Sequence, residues 1–226
     1  MSDFTTLVAK HKMKFVEMPV SHYDVMSKRA IKRDRGVCVG ITTVYLASFG
    51  RSKDDPMEGD FAASLCDDKQ LFVIKQIQQM EDSREITFGI VLEKKRDAGT
   101  YVDMFAGVGL GNAFASNLTA LGCKNVRLNQ MDQTGYAAAS TFPFASLARF
   151  CAKFAGVHLI KFPKHVCGVI VDDEKFFYAF LDVNYGQAST SNAHVFRQFL
   201  TDFFTSETAK EYDDSNSTAG VLHVVL

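Results

Sequence analysis

Cys38 opens a predicted helix, within the run Arg35-Gly36-Val37-Cys38-Val39-Gly40-Ile41-Thr42-Thr43-Val44-Tyr45-Leu46. Unpaired backbone N–H groups and the dipole at a helix N-terminus stabilise a thiolate, which is the nucleophilic form of cysteine. The backbone N–H of the nucleophile can also donate to an oxyanion that develops during acyl transfer. Gly36 and Gly40 are expected to leave space for a substrate backbone. Although an isolated cysteine is more often a core residue, this position is predicted to suit nucleophilic catalysis.

Two residues far downstream could complete a catalytic triad. His165 is predicted to open a strand after Pro163-Lys164, and Asp182 is predicted to close the next strand. A carboxylate on a neighbouring strand can fix the tautomer and orientation of an imidazole. Taken singly, His165 is typical of a surface histidine, and Asp182 of a turn before Asn184-Tyr185-Gly186. Their occurrence together, downstream of Cys38, favours a Cys-His-Asp hydrolase.

The elements that must position these residues follow an α+β pattern. Helices are predicted at 38–49, 60–81, 112–121, 144–154 and 191–205, and a strand or short helix at 86–92. Strands are predicted at 157–162, 166–171, 176–182 and 221–226, of which the first three form an antiparallel meander. Helices followed by an antiparallel sheet indicate the α+β class. Residues 1–226 are predicted to form a single domain, in which 1–30 serve as an N-terminal or secretion segment.

Composition excludes several classes of function. The chain has 226 residues, with Lys+Arg 25 against Asp+Glu 26, so its net charge of −1 gives no field that would attract nucleic acid. The five cysteines lack CxxC spacing, which predicts neither a disulfide framework nor a zinc ribbon and suits a reducing compartment. The N-terminus shows no Sec-type signal. No apolar run approaches the roughly 20 residues that a membrane span needs.

Three short blocks resemble motifs of the YopT-type effector cysteine proteases, the papain-like clan CA family that includes YopT and AvrPphB. The blocks are Cys38-Val39-Gly40-Ile41-Thr42, His165-Val166-Cys167-Gly168-Val169-Ile170-Val171 and Phe180-Leu181-Asp182-Val183-Asn184-Tyr185-Gly186. Their order matches that of the family. Val183 departs from the pattern because the family usually has proline there. Of the residues just before Cys38, only Asp34 could take the place of the family's oxyanion-hole side chain, and 60–155 match nothing in the family.

The resemblance implies both a fold and an activity. The fold would be papain-like, with the nucleophile at a helix N-terminus in a helical N-terminal part that packs on a C-terminal antiparallel sheet. The activity would be that of a cysteine endopeptidase, a bacterial virulence effector that cleaves a host protein. Cys38 would attack the peptide carbonyl, His165 would protonate the leaving amine, and Asp182 would orient His165.

The resemblance implies no cofactor and no metal. It implies export by a non-Sec route into the host cytoplasm. It is compatible with a secretion chaperone as a second partner, beside the host protein substrate.

A second interpretation is an S-adenosylmethionine-dependent methyltransferase. Residues 101–111 look like a strand that runs into a glycine-rich cofactor loop at 107–111, and Asp182-Val183-Asn184-Tyr185 resembles the Asp-Pro-Pro-Tyr signature. Such an enzyme requires a doubly wound parallel sheet, whose alternation is poor after residue 155. A ribose-binding acid is also missing from 124–129. A papain-like deamidase or acyltransferase would use the same triad, and a non-catalytic binding protein stays open as well.

Overall fold

The computed structural model describes residues 3–19, 37–65, 67–69, 71–79, 113–128, 139–162, 164–212 and 218–226. Eight strands form one sheet in the order β1-β7-β6-β5-β4-β8-β2, and β3 also pairs with β8. The strands are β1 Lys14–Glu17, β2 Arg127–Leu128, β3 Ala139–Pro143, β4 Gly156–Lys161, β5 Val166–Asp172, β6 Phe177–Asp182, β7 Gly186–Thr190 and β8 Thr218–Val225. Every pair among these strands is antiparallel.

The antiparallel sheet confirms the predicted α+β class and contradicts the methyltransferase interpretation. A doubly wound cofactor-binding fold needs parallel strands with helical crossovers, whereas β4, β5, β6 and β7 follow one another as a meander. The glycine-rich loop at 107–111 lies outside the described residues, as does the segment predicted at 86–92.

Six helices have defined bounds: α1 Asp3–Lys10, α2 Cys38–Ser52, α3 Asp60–Ser64, α4 Phe144–Cys151, α5 Ala193–Phe204 and α6 Glu207–Glu211. Residues 71–79 and 113–120 are also helical. Helix α2 packs on one face of the sheet, together with α3 and the two further helical stretches, and α1, α4, α5 and α6 pack on the other. Among the described residues, no helix has the length and apolar character to span a membrane.

Strand β5 separates the two cores by simple alternation of its side chains. Val166 and Ile170 face the core that contains α2, and Cys167, Val169 and Val171 face the core that contains α5. Successive side chains of a strand point to opposite faces, so a strand covered on both sides reads as a continuous apolar run. The sequence predicted β5 for this reason, and His165 directly precedes it.

Helix α2, which the sequence predicted over 38–49, is buried on all sides. Every residue from Val39 to Gly50 is buried, because the sheet covers one side and the helical residues 71–79 cover another. Gly40 does not leave space for a substrate, since a Cβ atom there would overlap the carbonyl oxygen of Ile74. The glycine allows two helices to pack closely at the start of α2.

The helix predicted over 60–81 is interrupted. Helix α3 ends at Ser64, and helical structure resumes after Asp67. The Asp67 side chain accepts a hydrogen bond from the backbone N–H of Lys69 at 2.9 Å, which is how an aspartate caps a new helix. In the second segment, the large apolar side chain of Phe72 is 55% exposed.

Candidate active site

Cys38 is the first residue of α2 and is partly exposed. The residue before it, Val37, makes no side-chain capping hydrogen bond. Within the first turn, the N–H of Gly40 lies 3.4 Å from Oε1 of Gln78, a buried amide. The Cys38 thiol therefore lies at a helix N-terminus whose partial positive charge favours an anion.

Strand β5 holds the start of α2 at close range through Gly168. A Cβ atom at Gly168 would lie 3.0 Å from Cγ2 of Thr42 and 3.4 Å from Cδ2 of Leu46. Thr42 follows Cys38 by one helical turn, so this contact brings the first turn of α2 close to the beginning of β5. Cys38 is near enough to Cys167 to contribute to the raised pKa of that thiol.

His165 and Asp182 form a buried hydrogen-bonded pair, as the sequence predicted from adjacent strands. Nε2 of His165 lies 2.9 Å from Oδ1 of Asp182. His165 is 6% exposed and Asp182 is fully buried. Asp182 is the last residue of β6 and lies directly opposite Cys167 of β5. With Nε2 bound to the carboxylate, Nδ1 is the ring nitrogen that would serve a nucleophile.

The Asp182 carboxylate accepts further hydrogen bonds. The Tyr212 hydroxyl donates to Oδ2 at 2.9 Å, and the backbone N–H of Asn184 donates to Oδ1 at 2.9 Å. Asp182 therefore both closes the turn after β6 and binds His165, which unites the two sequence interpretations of this residue. Sequence reasoning did not identify Tyr212, because a single tyrosine beside an acidic polar loop carries no distinguishing pattern.

The surroundings of His165 favour its protonated form. Burial, the largest single influence, would lower the pKa of the imidazole, but the charge of Asp182, its hydrogen bond to the ring and the neighbouring Cys167 together outweigh burial and raise that pKa well above its ordinary value of 6.5. The Tyr212 ring lies over the imidazole with centroids 4.1 Å apart, and an aromatic face stabilises a cation placed above it. The site can thus hold an imidazolium that stabilises a thiolate and later donates a proton.

Cys167 is a second thiol of the site that the sequence analysis did not single out. It is completely buried, and burial, followed by the charge of Asp182, raises its pKa to about 12. Among the described residues, His165, Cys167 and Asp182 are the group whose three metal-ligand atoms lie within 4.8 Å of one another. A thiol must lose its proton to bind a metal, and both Asp182 oxygens already accept hydrogen bonds, so the arrangement suits a hydrogen-bonded pair better than a metal centre.

Cys38, Cys123, Cys151 and Cys167 are free thiols, and Cys66 lies outside the described residues. Only Cys38 of the four combines a helix N-terminus with partial exposure. Burial raises the pKa of the other three thiols. At Cys123 the positive charges of Arg51 and Lys53 offset part of this rise. Of the described cysteines, Cys38 has the surroundings that a nucleophile requires.

Comparison with known proteins gives structural neighbours. No protein-family model and no curated protein matches the chain. The crystal structure of the Pseudomonas avirulence protein AvrPphB matches with a TM-score of 0.55 and 15% sequence identity, covering 92% of this chain and 97% of that chain. PatoxP, a cysteine protease-like domain of the Photorhabdus asymbiotica toxin PaTox, matches with a TM-score of 0.44 and 13% identity, covering 97% of this chain and 57% of that one. The chain therefore has the papain-like fold of AvrPphB, a member of the family that the three sequence blocks resemble.

Proposed function

We propose that this chain is a papain-like cysteine endopeptidase of the effector type, with Cys38 as nucleophile, His165 as acid and base, and Asp182 as the residue that orients His165. The observation that carries the proposal is the buried hydrogen bond of 2.9 Å between His165 and Asp182. Gly168, three residues after His165, packs against the helix that begins at Cys38, in the fold of AvrPphB. That neighbour is an avirulence protein, which supports delivery of this chain into a host cell.

The geometry supports a complete acyl-transfer cycle. The thiolate of Cys38 attacks the peptide carbonyl and forms an S–C bond, while backbone N–H groups at the start of α2 stabilise the oxyanion. The C–N bond breaks as the His165 imidazolium donates its proton to the leaving amine. Water then attacks the thioester, with neutral His165 accepting its proton, and the Cys38 thiolate is released. Asp182 holds the tautomer of His165 throughout.

Labelling at Cys38 tests this triad. A cysteine-directed epoxide or vinyl sulfone should label the native protein at Cys38, as read by peptide mass spectrometry. His165→Ala should reduce the labelling rate by about 100-fold, since general acid–base groups contribute factors of about 10²–10⁴. His11→Ala is the matched control, because His11 also pairs with an aspartate, Asp202, at 2.8 Å but on another part of the surface.

Two outcomes of the labelling experiment are decisive. Equal labelling of wild type and His165→Ala would refute the triad. Labelling that moves to Cys167 would assign the nucleophile to the other thiol. Cys167→Ala is expected to keep the labelling of Cys38, because the pKa of the Cys167 thiol is raised to about 12 and that thiol is inert at neutral pH.

A second experiment distinguishes peptide cleavage from related acyl chemistry. Wild type and Cys38→Ala are added separately to a host-cell extract, and new protein N-termini are identified by mass spectrometry. An endopeptidase produces new N-termini only with the wild type. Deamidated glutamine without new N-termini would replace the peptidase by a papain-like deamidase, and transferred acyl groups would replace it by an acyltransferase.

A further inference from the structure

Tyr212 connects three parts of the candidate site. It follows α6 and is nearly buried. Its hydroxyl donates to Oδ2 of Asp182 at 2.9 Å and accepts from Nδ2 of Asn184 at 3.0 Å. Its backbone carbonyl accepts from the N–H of Lys164, directly before His165, at 3.2 Å. The same residue therefore contacts the carboxylate, the turn that follows it and the segment that carries the imidazole.

We propose that Tyr212 is a positioning residue that holds the Asp182 carboxylate and the His165 ring in their catalytic geometry. The inference rests on the proposed function, since it concerns the acid–base pair of that reaction. Tyr212 does not touch the reacting atoms; it acts through Asp182 and His165.

The hydroxyl fixes the rotation of the carboxylate. A carboxylate can turn about its Cβ–Cγ bond, and this turn would move Oδ1 away from Nε2 of His165. The hydrogen bonds from Tyr212 to Oδ2 and from Asn184 N–H to Oδ1 hold both oxygens, so Oδ1 stays directed at the imidazole. A charge-assisted hydrogen bond in a buried site is stronger than a neutral one.

The ring of Tyr212 restrains the imidazole from one side. The two ring centroids are 4.1 Å apart and their planes are tilted by 33°. Phe162 packs against Tyr212 in turn, with centroids 5.7 Å apart, so the tyrosine cannot swing aside. Among the described residues, Asp182 and Cys167 are the ionisable groups that act on His165. The side chains of Tyr185 and Asn184 lie beside that of Tyr212.

Tyr212→Phe tests the inference, because phenylalanine keeps the ring over His165 and removes only the hydroxyl. The matched control is Tyr178→Phe, in which a nearly buried tyrosine loses a hydrogen bond of 2.8 Å to Asp173, at the opposite end of β6. Tyr212→Phe should lower the rate of Cys38 labelling about 10-fold, which corresponds to one hydrogen bond to a charged group. Tyr178→Phe should label like the wild type, and both variants should show a similar fall in Tm.

The titration of His165, followed by NMR of histidine-labelled protein, gives a readout that a general loss of stability does not move. Without the tyrosine hydroxyl, the Asp182 carboxylate can turn away from the imidazole, and its charge then raises the pKa of His165 less. The pKa of His165 should therefore fall by about half a pH unit or more in Tyr212→Phe and stay unchanged in Tyr178→Phe. Asn184→Ala alters an exposed side chain and should shift the titration in the same direction, which provides a second variant if Tyr212→Phe folds poorly.

The two proposals fail in different ways. A wild-type protein whose Cys38 is not labelled in a His165-dependent manner overturns the proposed function. A reactive wild type whose labelling rate and His165 titration are both unchanged in Tyr212→Phe overturns the positioning role alone. A reduced labelling rate that Tyr178→Phe reproduces at equal Tm also overturns it, since the effect would then come from stability.

Discussion

Asp182 is the residue on which the hydrogen bonds of the site converge. It is fully buried at the end of β6, and His165, Asn184 and Tyr212 all contact its two oxygens. A buried carboxylate is tolerated only when its oxygens are satisfied. Because His165 supplies the positive charge, the pair is stable while the imidazole is protonated. Removing either partner leaves the other buried without compensation.

Replacing Asp182 by asparagine should inactivate Cys38 while preserving the size of the side chain. The amide has no charge to raise the pKa of His165, and its NH₂ group cannot accept the hydrogen bonds that an aspartate oxygen accepts. We expect the labelling rate of Cys38 to fall by about 100-fold and the pKa of His165 to fall. Asp202→Asn, in the surface pair with His11, is the control. Unchanged labelling in Asp182→Asn would contradict the assigned role.

At this scale the sequence predicted Cys38, His165 and Asp182 as the triad, because each lies at the boundary of an element with a clear pattern. It did not identify Tyr212 or Cys167. Cys167 could have been found, since it follows His165 by two residues and so shares its face by strand alternation. Tyr212 reaches the site only through the packing of α6 against the sheet, and a local sequence pattern does not contain that information.

Among the elements, the contact between α2 and β5 fixes the position of Cys38, the proposed nucleophile. Thr42 and Leu46 pack so closely against Gly168 that an added Cβ atom would require these side chains to shift. The helix and the strand therefore approach more closely than ordinary side chains allow. A buried helix held this tightly keeps its N-terminus in place relative to His165.

Gly168→Ala should move the start of α2 away from β5. The added methyl group would meet Thr42 Cγ2 at 3.0 Å, and overpacking of a well-packed core costs about 1–3 kcal/mol. We expect the free energy of unfolding to fall by that amount and Cys38 labelling to slow. Gly220→Ala in β8 is the control, because the nearest atom to its added Cβ, the carbonyl oxygen of Lys161, lies 3.8 Å away. Equal behaviour of the two variants would contradict this role of Gly168.

The sequence predicted the elements with strong apolar patterns and missed those without them. Strands β4, β5 and β6 are rich in β-branched and aromatic residues and lie where they were predicted. Strand β7, Gly186–Thr190, consists of small and polar residues, and β1 has only four residues. These strands exist because β6 and β7 offer them backbone partners, as in the pairing of Phe15 with Ala188. Propensity does not reveal such pairing.

On the scale of the whole molecule, one core contains a buried pair of histidines. His158 of β4 and His223 of β8 lie opposite each other, and their rings stack with centroids 4.3 Å apart. Their Nε2 atoms contact the carbonyl oxygens of Phe154 and Ala155. Burial lowers the pKa of both imidazoles, and for His158 the charge of His223 lowers it further. Both rings are therefore neutral at pH 7.

Because of this histidine pair, the free energy of unfolding should fall as the pH is lowered. The unfolded chain binds both protons as the pH falls through about 6.5, whereas the folded protein binds them only at lower pH. The free energy of unfolding falls by at most about 1.4 kcal/mol per pH unit for each histidine. His165 acts oppositely: its pKa is raised, so its contribution is complete below about pH 6.5 and is lost as the pH rises.

Urea unfolding between pH 7 and 5 measures the effect. His223→Gln should roughly halve the acid-side slope of the free energy of unfolding, because it removes one of the two shifted groups. His194→Gln, at an exposed position in α5, should keep the wild-type slope. A wild-type slope in His223→Gln would contradict the role of the pair.

Strand β8 joins two parts of the sheet, since it pairs with β4 on one side and with β2 and β3 on the other. It follows Cys38, His165, Asp182 and Tyr212 in the chain. Until residues 218–225 have left the ribosome, β4 has an open edge and β5 as its one neighbour among the described strands. The residues of the proposed triad are therefore made before the strand that completes their sheet. Closure of the sheet, and any property that depends on it, must follow the synthesis of β8.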